Sequence, residues 1–299
     1  MKKVAAIVVT YNRKKLLLEN IKALLAQTYR NLDILIIDNC STDGTKDAIQ
    51  EYIKNKSIIY VNTGSNLGGA GGFQYGIKYA SKNNYDNVWV MDDDCIPTPT
   101  ALEELMKADK YLKGNYGYLS SKTLWKDGKI CTMNVQRKNL IKNITDFSKP
   151  LIQCTMASFV SLLIPTYIVK KVGLPIKEFF IWTDDWEYTR RISKHYKCYV
   201  VSKSIVNHKS ASNIGANIAT DSVNRIDRYH YLYRNDVYLY RREGIRGFLY
   251  ESARLTDHSL RVIFKAKNNK LKRLRMIFVG TKDGLSFRPP IEYITNRKY

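Results

Sequence analysis

The chain has 299 residues, 44% of them hydrophobic and 25% charged. These values exclude collagen-like, fibrous and wholly disordered chains and leave room for one large or two modest domains. Lys and Arg number 49 against 27 Asp and Glu, a formal charge of +22, so an anionic partner is expected: a phosphorylated substrate, an acidic membrane surface or nucleic acid. Residues 201–299 hold 20 of the cations and only 8 acidic residues, which makes the C-terminal third the side expected to meet a large anionic surface.

The first element is Val4–Val9, a continuous β-branched and apolar run of the kind a buried parallel strand has. After Met-Lys-Lys it imitates a secretory leader, but Thr10-Tyr11-Asn12-Arg13 ends it after six residues, too short for a leader's apolar core. Leu17, Ile21, Leu24 and Leu25 recur at helical spacing. Ile34–Ile37 predicts a second strand ending at Asp38, and Thr42 or Asp43 then caps a helix through Tyr52. Ile58–Val61 predicts a third strand, followed by a glycine-rich turn and a helix over 70–81. Val88–Met91 predicts a fourth, ending in Asp92-Asp93-Asp94, and Thr100 with Glu103 has the spacing of a capping box.

Strands alternating with helices predict an α/β domain with a parallel sheet, whose ligands sit at the C-terminal ends of the strands. The polar punctuation falls there: Thr10 to Asn12, Asp38-Asn39, Asn62 to Gly72 and Asp92 to Asp94. The stretch 115–220 is less regular and contains a second apolar run, Phe159–Pro165. Beyond 221 the chain reads as helical and rich in Tyr and Arg, with no linker before it. This predicts a domain over 1–220 and a packed helical region over 221–299. Five scattered cysteines, with no ribbon or redox spacing, suit a reducing cytoplasm. No apolar stretch reaches the roughly 18–20 residues of a membrane span, so a soluble or peripheral protein is expected.

Asp92 and Asp94, two apart after a buried strand, are placed to share one cation. Carboxylates with few other ligands suit Mg²⁺ or Mn²⁺ held jointly with substrate phosphates. The turn from Asn66 to Phe73 is rich in glycine, which brings backbone close to a ligand at a helix N-terminus, but it has neither dinucleotide nor P-loop spacing. In Trp182-Thr183-Asp184-Asp185-Trp186-Glu187, adjacent carboxylates at a helix start are flanked by indoles. The carboxylates suit a general base and the indoles suit sugar faces, while the same pattern also serves a dipole-stabilised helix end with Trp in the core. His208 follows a short apolar run, and a lone histidine there reads as structural more readily than as a ligand.

Taken in order, Thr10 to Arg13, Asp38-Asn39 with Ser41 to Gly44, Asn66 with its glycines, and the three-Asp strand end resemble the inverting family 2 glycosyltransferases of GT-A fold, over about residues 3–210. The glycine turn and Trp-Thr-Asp-Asp-Trp-Glu are most similar to the bacterial galactofuranosyltransferases. The resemblance implies that Thr10, Asn12, Arg13, Asp38, Asn66, Gly71, Asp92 and Asp93 meet the donor. Asp92, Asp94 and His208 would hold Mn²⁺ or Mg²⁺. Asp185 would be the base, and Asp184, Trp182, Trp186 and Glu187 would meet the acceptor. It implies a UDP-sugar donor, UDP-galactofuranose, a glycan or lipid-linked acceptor, and work on bacterial surface polysaccharide at the inner face of the membrane. Thr183 departs from the small or acidic residue common there. A rhamnosyl or hexopyranosyl transferase of the same fold is the alternative. A basic nucleic-acid-binding protein is the alternative outside the class, although no DNA- or RNA-reading motif is present, so no nucleic-acid partner is expected.

The last expectation is peripheral attachment. Leu271, Leu274, Ile277 and Phe278 share one helical face among Lys272, Arg273 and Arg275, the pattern of a helix lying on an anionic membrane. The same stripe would alternatively pack on the catalytic domain or on a second subunit of a homo-oligomer.

Overall fold

The apolar run at the N-terminus forms β1 (Val4–Thr10), and all seven of its residues are buried. In the computed structural model, which describes residues 1–294, β1 is flanked in parallel by β2 (Leu32–Asp38) and β4 (Asn87–Asp92). The short β3 (Ile59–Asn62) continues the parallel part beyond β2. Alternation along β1 distributes the two faces of the sheet. Val4, Ala6 and Val8 share a core with Leu17, Ile21 and Leu24 of α1 (Lys14–Leu25) and Leu102 and Leu105 of α5 (Ala101–Tyr111). Ala5, Ile7 and Val9 share the other core with Phe73 and Ile77 of α4 (Gly68–Lys82).

The irregular middle supplies the rest of a nine-stranded mixed sheet. β8 (Leu162–Pro165) runs antiparallel to β4, and β6 (Leu119–Trp125) lies between β8 and the long β9 (Cys198–His208). β5 (Cys95–Pro97) and β7 (Leu151–Cys154) both pair antiparallel with β9. Between β8 and β9 lie α6 (Thr166–Val172) and α7 (Asp184–Ser193).

Two local expectations are corrected. The helix expected through Tyr52 is split into α2 (Thr45–Ala48) and α3 (Gln50–Lys54) at Ile49, whose side chain is wholly buried in the α1-side core. Asp43 does bond its start, accepting from the Thr45 amide at 3.1 Å. No side-chain cap forms at Thr100; Glu103 instead accepts from the Thr28 hydroxyl at 2.6 Å.

The C-terminal region is helical, with α8 (Tyr229–Tyr240), α9 (Gly244–Lys265) and α10 (Lys270–Ser286); residues 295–299 of the expected 221–299 segment lie outside the described residues. Its helices pack against earlier residues. Tyr238 is buried with Ala70, Ile176 and Phe179, and Leu239 and Tyr240 with Met156. The apolar stripe expected on α10 is divided: Ile277 is buried, whereas Leu271 and Phe278 are exposed. Arg273 is not a surface cation. It is buried and donates to the carbonyls of Ile218, Asp221 and Asn268. No helix among the described residues is long and apolar enough to cross a membrane.

Candidate active site

Strand register sets the site. Thr10 pairs with Asp38, Asp38 with Asn62 and Val9 with Asp92, so the polar strand ends lie along one edge of the sheet. After Asp92 the chain turns. Thr10 Oγ1 donates to Asp93 Oδ2 at 2.7 Å, and Arg13 Nη1 donates to Asp93 Oδ1 at 3.0 Å and to Asp94 Oδ2 at 2.7 Å. His208 ends β9 opposite Cys95, with its Nε2 3.0 Å from Asp94 Oδ1. Donor atoms of Asp92, Asp94, Cys95 and His208 all lie within 4.8 Å of one another.

This cluster has more negative charge than its surroundings offset. Burial, then the charge of Asp94, pushes Asp92 up to about 7. Burial raises Asp93 to about 6 in spite of Arg13. Burial acts on Asp94 too, but His208 and Arg13 outweigh it and hold that carboxyl below its ordinary value. Burial disfavours a charged His208, yet its bond to Asp94 and the nearby Cys131 and Asp92 push it up to about 10. Two carboxylates and an imidazole that already gather a guanidinium and a proton fit a divalent cation of the Mn²⁺ or Mg²⁺ kind. Cys95 fits less well, because burial keeps its thiol protonated.

The orientation of His208 has a cause that sequence reading missed. Its Nδ1 lies 2.8 Å from Asn134 Oδ1, an atom that only accepts, so Nδ1 carries a proton and Nε2 is the nitrogen that faces the cluster, donating to Asp94 here and free to turn ligand once a cation displaces that proton. Asn134 is held in turn by its Nδ2 donating to Ser158 Oγ at 3.2 Å. Nothing near Asn134 in sequence marks it, since its partner is 74 residues away.

At the other strand ends the candidates are engaged with the backbone. Asp38 is buried, accepting from the Ser41 amide and the Tyr60 hydroxyl, both at 2.8 Å, and burial with that bond pushes Tyr60 up to about 12. Asn12, at φ 55°, accepts from the Thr42 amide at 2.7 Å. Together they shape the 39–42 turn beside the cluster. Asn66 is exposed and accepts from the Gly68 amide at 2.9 Å.

The glycine turn is organised by packing more than by an open anion cradle. Gly68 has φ +71°, and a Cβ there would lie 2.1 Å from the Phe180 carbonyl oxygen; at Gly72 one would lie 2.6 Å from Val9. The Ala70 amide, in the first turn of α4, donates to that same Phe180 oxygen. Gly71 is buried, and a Cβ on it would meet Leu67 of the same turn. What the turn does is fix the segment 178–183 that leads into α7.

That segment carries the second group of carboxylates. Phe180, Trp182 and Thr183 have φ of 63°, 65° and 67°, and α7 then opens with Asp184 and Asp185. Asp185 Oδ1 accepts from the Trp186 amide at 2.7 Å. Burial, then the charges of Asp184 and Asp92, push Asp185 well above the usual carboxylate range, so the base candidate and the cation cluster share one electrostatic neighbourhood. Burial likewise pushes Asp184 up to about 7.

The remaining acceptor candidates are turned to other partners. Glu187 is buried in a two-pronged pair with Arg191 at 3.0 and 2.9 Å. Trp182 packs on Tyr229, and the Arg137 guanidinium covers Trp186, 4.3 Å from the ring centre.

The left-handed residues are held from the C-terminal region, which sequence reading placed outside the site. Asn235 Nδ2 donates to the carbonyls of Phe179, Ile181 and Trp182 at 3.0–3.1 Å. Thr183 Oγ1 donates to Asp236 at 2.6 Å, and Asp236 pairs with Arg254 of α9.

Residues 5–126 match the family described as Glycosyl transferase family 2. The galactofuranosyltransferase GlfT1 of Mycolicibacterium smegmatis is 31% identical over 101 residues, 33% of this chain and 32% of that protein. An Escherichia coli protein named UDP-Glc:alpha-D-GlcNAc-diphosphoundecaprenol beta-1,3-glucosyltransferase WfaP is 35% identical over 96 residues, 30% of this chain and 38% of that protein. The matched stretches thus span about a third of these curated relatives. Among solved structures, S. aureus TarS 1–349 in complex with UDP superposes with a TM-score of 0.54 at 15% identity, over 95% of this chain and 72% of that one. GalNAc-T7 with UDP, GalNAc and Mn²⁺ superposes with a TM-score of 0.58 at 16% identity, over 70% and 44%. At such identities these structures speak for the fold, which is that of the GT-A glycosyltransferases. The segment that supplies every member of the strand-end cluster except His208, residues 5–126, is therefore a Glycosyl transferase family 2 domain.

Proposed function

We propose that the chain is an inverting glycosyltransferase that moves galactofuranose from UDP-galactofuranose to a glycan or lipid-linked acceptor, with a divalent cation as cofactor. The observation that carries the reading is the clustering of Asp92, Asp94 and His208 at the end of the parallel strands, where the charge of Asp92 also bears on Asp185. The galactofuranosyltransferase name of one relative supports the sugar, and the UDP bound in two structural neighbours supports the nucleotide.

Asp92, Asp94 and His208 would hold the cation, which when bound offsets the charge developing on a leaving diphosphate. The chain's own residues do the rest. Asp38 and Asn12 shape the turn that receives the nucleoside, while Thr10 and Arg13 fix Asp93 and Asp94. Asp185 accepts the proton of the acceptor hydroxyl as it attacks the anomeric carbon. Its raised basicity suits that task. A single displacement inverts the centre without a covalent enzyme intermediate.

Calorimetry with UDP, with and without Mn²⁺, tests the cation site. Removing Mn²⁺ with EDTA, or making Asp94→Ala or His208→Ala, is expected to weaken UDP binding by about tenfold or more. Equal affinity in all four conditions would refute the metal assignment. Asn134→Leu is expected to lower Mn²⁺-dependent UDP affinity by about 10–100-fold, because His208 loses the acceptor that fixes its tautomer. If Asn134→Leu binds like the wild type, His208 is not oriented in this way. For the donor, hydrolysis is expected to be fastest with UDP-galactofuranose in a panel with UDP-glucose and dTDP-rhamnose. Fastest hydrolysis of UDP-glucose would favour the hexopyranosyl reading that the Escherichia coli relative's name supports.

A further inference from the structure

Helix α9 runs for 22 residues, yet it buries only Gly247, Glu251 and Val262. Much of the rest of its surface is apolar and uncovered. Ile245, Phe248 and Leu249 stand at its start, and Leu260, Ile263 and Phe264 near its end, with Phe248 63% and Phe264 77% exposed. Each triplet has i, i+3, i+4 spacing. The second is 15 residues after the first, which at about 100° per residue puts the two within roughly 60° around the axis. Helix α10 adds a second stripe at seven-residue spacing: Leu271, Phe278 and Leu285, exposed by 85%, 69% and 64%. Among the described residues, exposed large apolar side chains recur along no other helix in this way, and clustered exposed apolar side chains mark an interaction surface.

The charge around the patch selects its partner. Residues 244–286 contain ten Lys and Arg against three Asp and Glu. Arg246, Lys265, Lys267, Arg275 and Lys282 are exposed and make no ion pair among the described residues. A second copy of the same face would bring these cations against their own kind. Nucleic acid would satisfy the cations and leave Phe248, Phe264 and Phe278 in water. An anionic bilayer surface satisfies both, with phosphates for the cations and acyl chains for the apolar stripes.

We propose that the outer faces of α9 and α10 form a docking surface for an anionic lipid bilayer, on which the helices lie in the plane of the headgroups. Compared with the expectation from sequence, the surface moves from the α10 stripe alone to α9 and the outer side of α10, and Arg273 is no part of it. The proposal does not depend on the catalytic reading, since it uses no residue of the strand-end site.

Co-sedimentation of the full chain with vesicles tests it. The protein is expected to pellet with phosphatidylglycerol–phosphatidylcholine vesicles and to remain in solution with phosphatidylcholine alone, with binding falling as salt rises. The double substitution Phe248→Ser with Phe264→Ser is expected to weaken vesicle binding by about tenfold or more, as loss of two buried aromatic rings implies. UDP affinity in that variant reports that the catalytic domain is still folded. Three results overturn the proposal: no binding to anionic vesicles, binding that the double substitution leaves unchanged, or a dimer in light scattering that the substitution dissociates while vesicles bind neither form. The last assigns the face to a second copy.

Discussion

Asp185→Asn is expected to lower sugar transfer by about 10²–10⁴-fold while UDP affinity stays near that of the wild type. The substitution keeps the size of the side chain and an oxygen to accept from the Trp186 amide, so the start of α7 is preserved. What is lost is the ability to take a proton. Burial and the neighbouring Asp184 and Asp92 raise the proton affinity of this carboxyl, which the amide lacks. Initial rates set against calorimetric UDP affinity separate chemistry from binding. Near-normal turnover would move the proton acceptor elsewhere, with Asp184 the next candidate.

The second large effect is expected far from the cluster. Arg254→Met should destabilise the fold by about 3–5 kcal/mol, since it removes one partner of a buried ion pair and leaves the other uncompensated. Arg254 also bonds Glu251 at 3.0 Å, so two carboxylates lose their cation together. Burial already pushes Glu251 up to about 6 even with Arg254 beside it. Urea unfolding measures the loss. Transfer should fall more than UDP binding, because Asp236 holds Thr183 at the entrance to α7, which carries the proposed base, whereas the proposed nucleotide contacts lie on β1 and β2. A variant with wild-type stability and activity would show that the pair is incidental.

The parallel half of the protein was legible because its signals are local. Val4–Val9, Ile34–Ile37 and Val88–Met91 are apolar runs closed by polar residues, and a buried parallel strand needs nothing more. The Asp92–Asp94 cluster followed from them, since a strand end carries its next residues to the sheet edge. The segment 178–183 and its support were not legible. Asn235 and Asp236 sit in a helix of tyrosines and look like surface polar residues, and their partners are backbone carbonyls and a hydroxyl 53–56 residues earlier. Arg273 misled for the same reason: periodicity counts it as a surface cation, while its guanidinium is spent on buried carbonyl oxygens. Charge and spacing locate elements, but they do not say which polar groups point inward.

The ties between α8, α9 and the entrance to α7 bear on how the protein is made. A ribosome delivers Asp92 and Asp94 within the first 94 residues and His208 114 residues after Asp94, but Asn235, Asp236 and Arg254 follow last. Until they emerge, the bonds to the carbonyls of Ile181 and Trp182 and from the Thr183 hydroxyl to Asp236 are missing, and the approach to Asp185 rests on the glycine turn's bond to the Phe180 carbonyl. In a nascent or truncated chain ending before residue 235, the segment that leads into α7 therefore lacks its C-terminal support even where the parallel strands are complete. With Asp185 as the proposed base, its placement is the last part of the site that the order of synthesis completes.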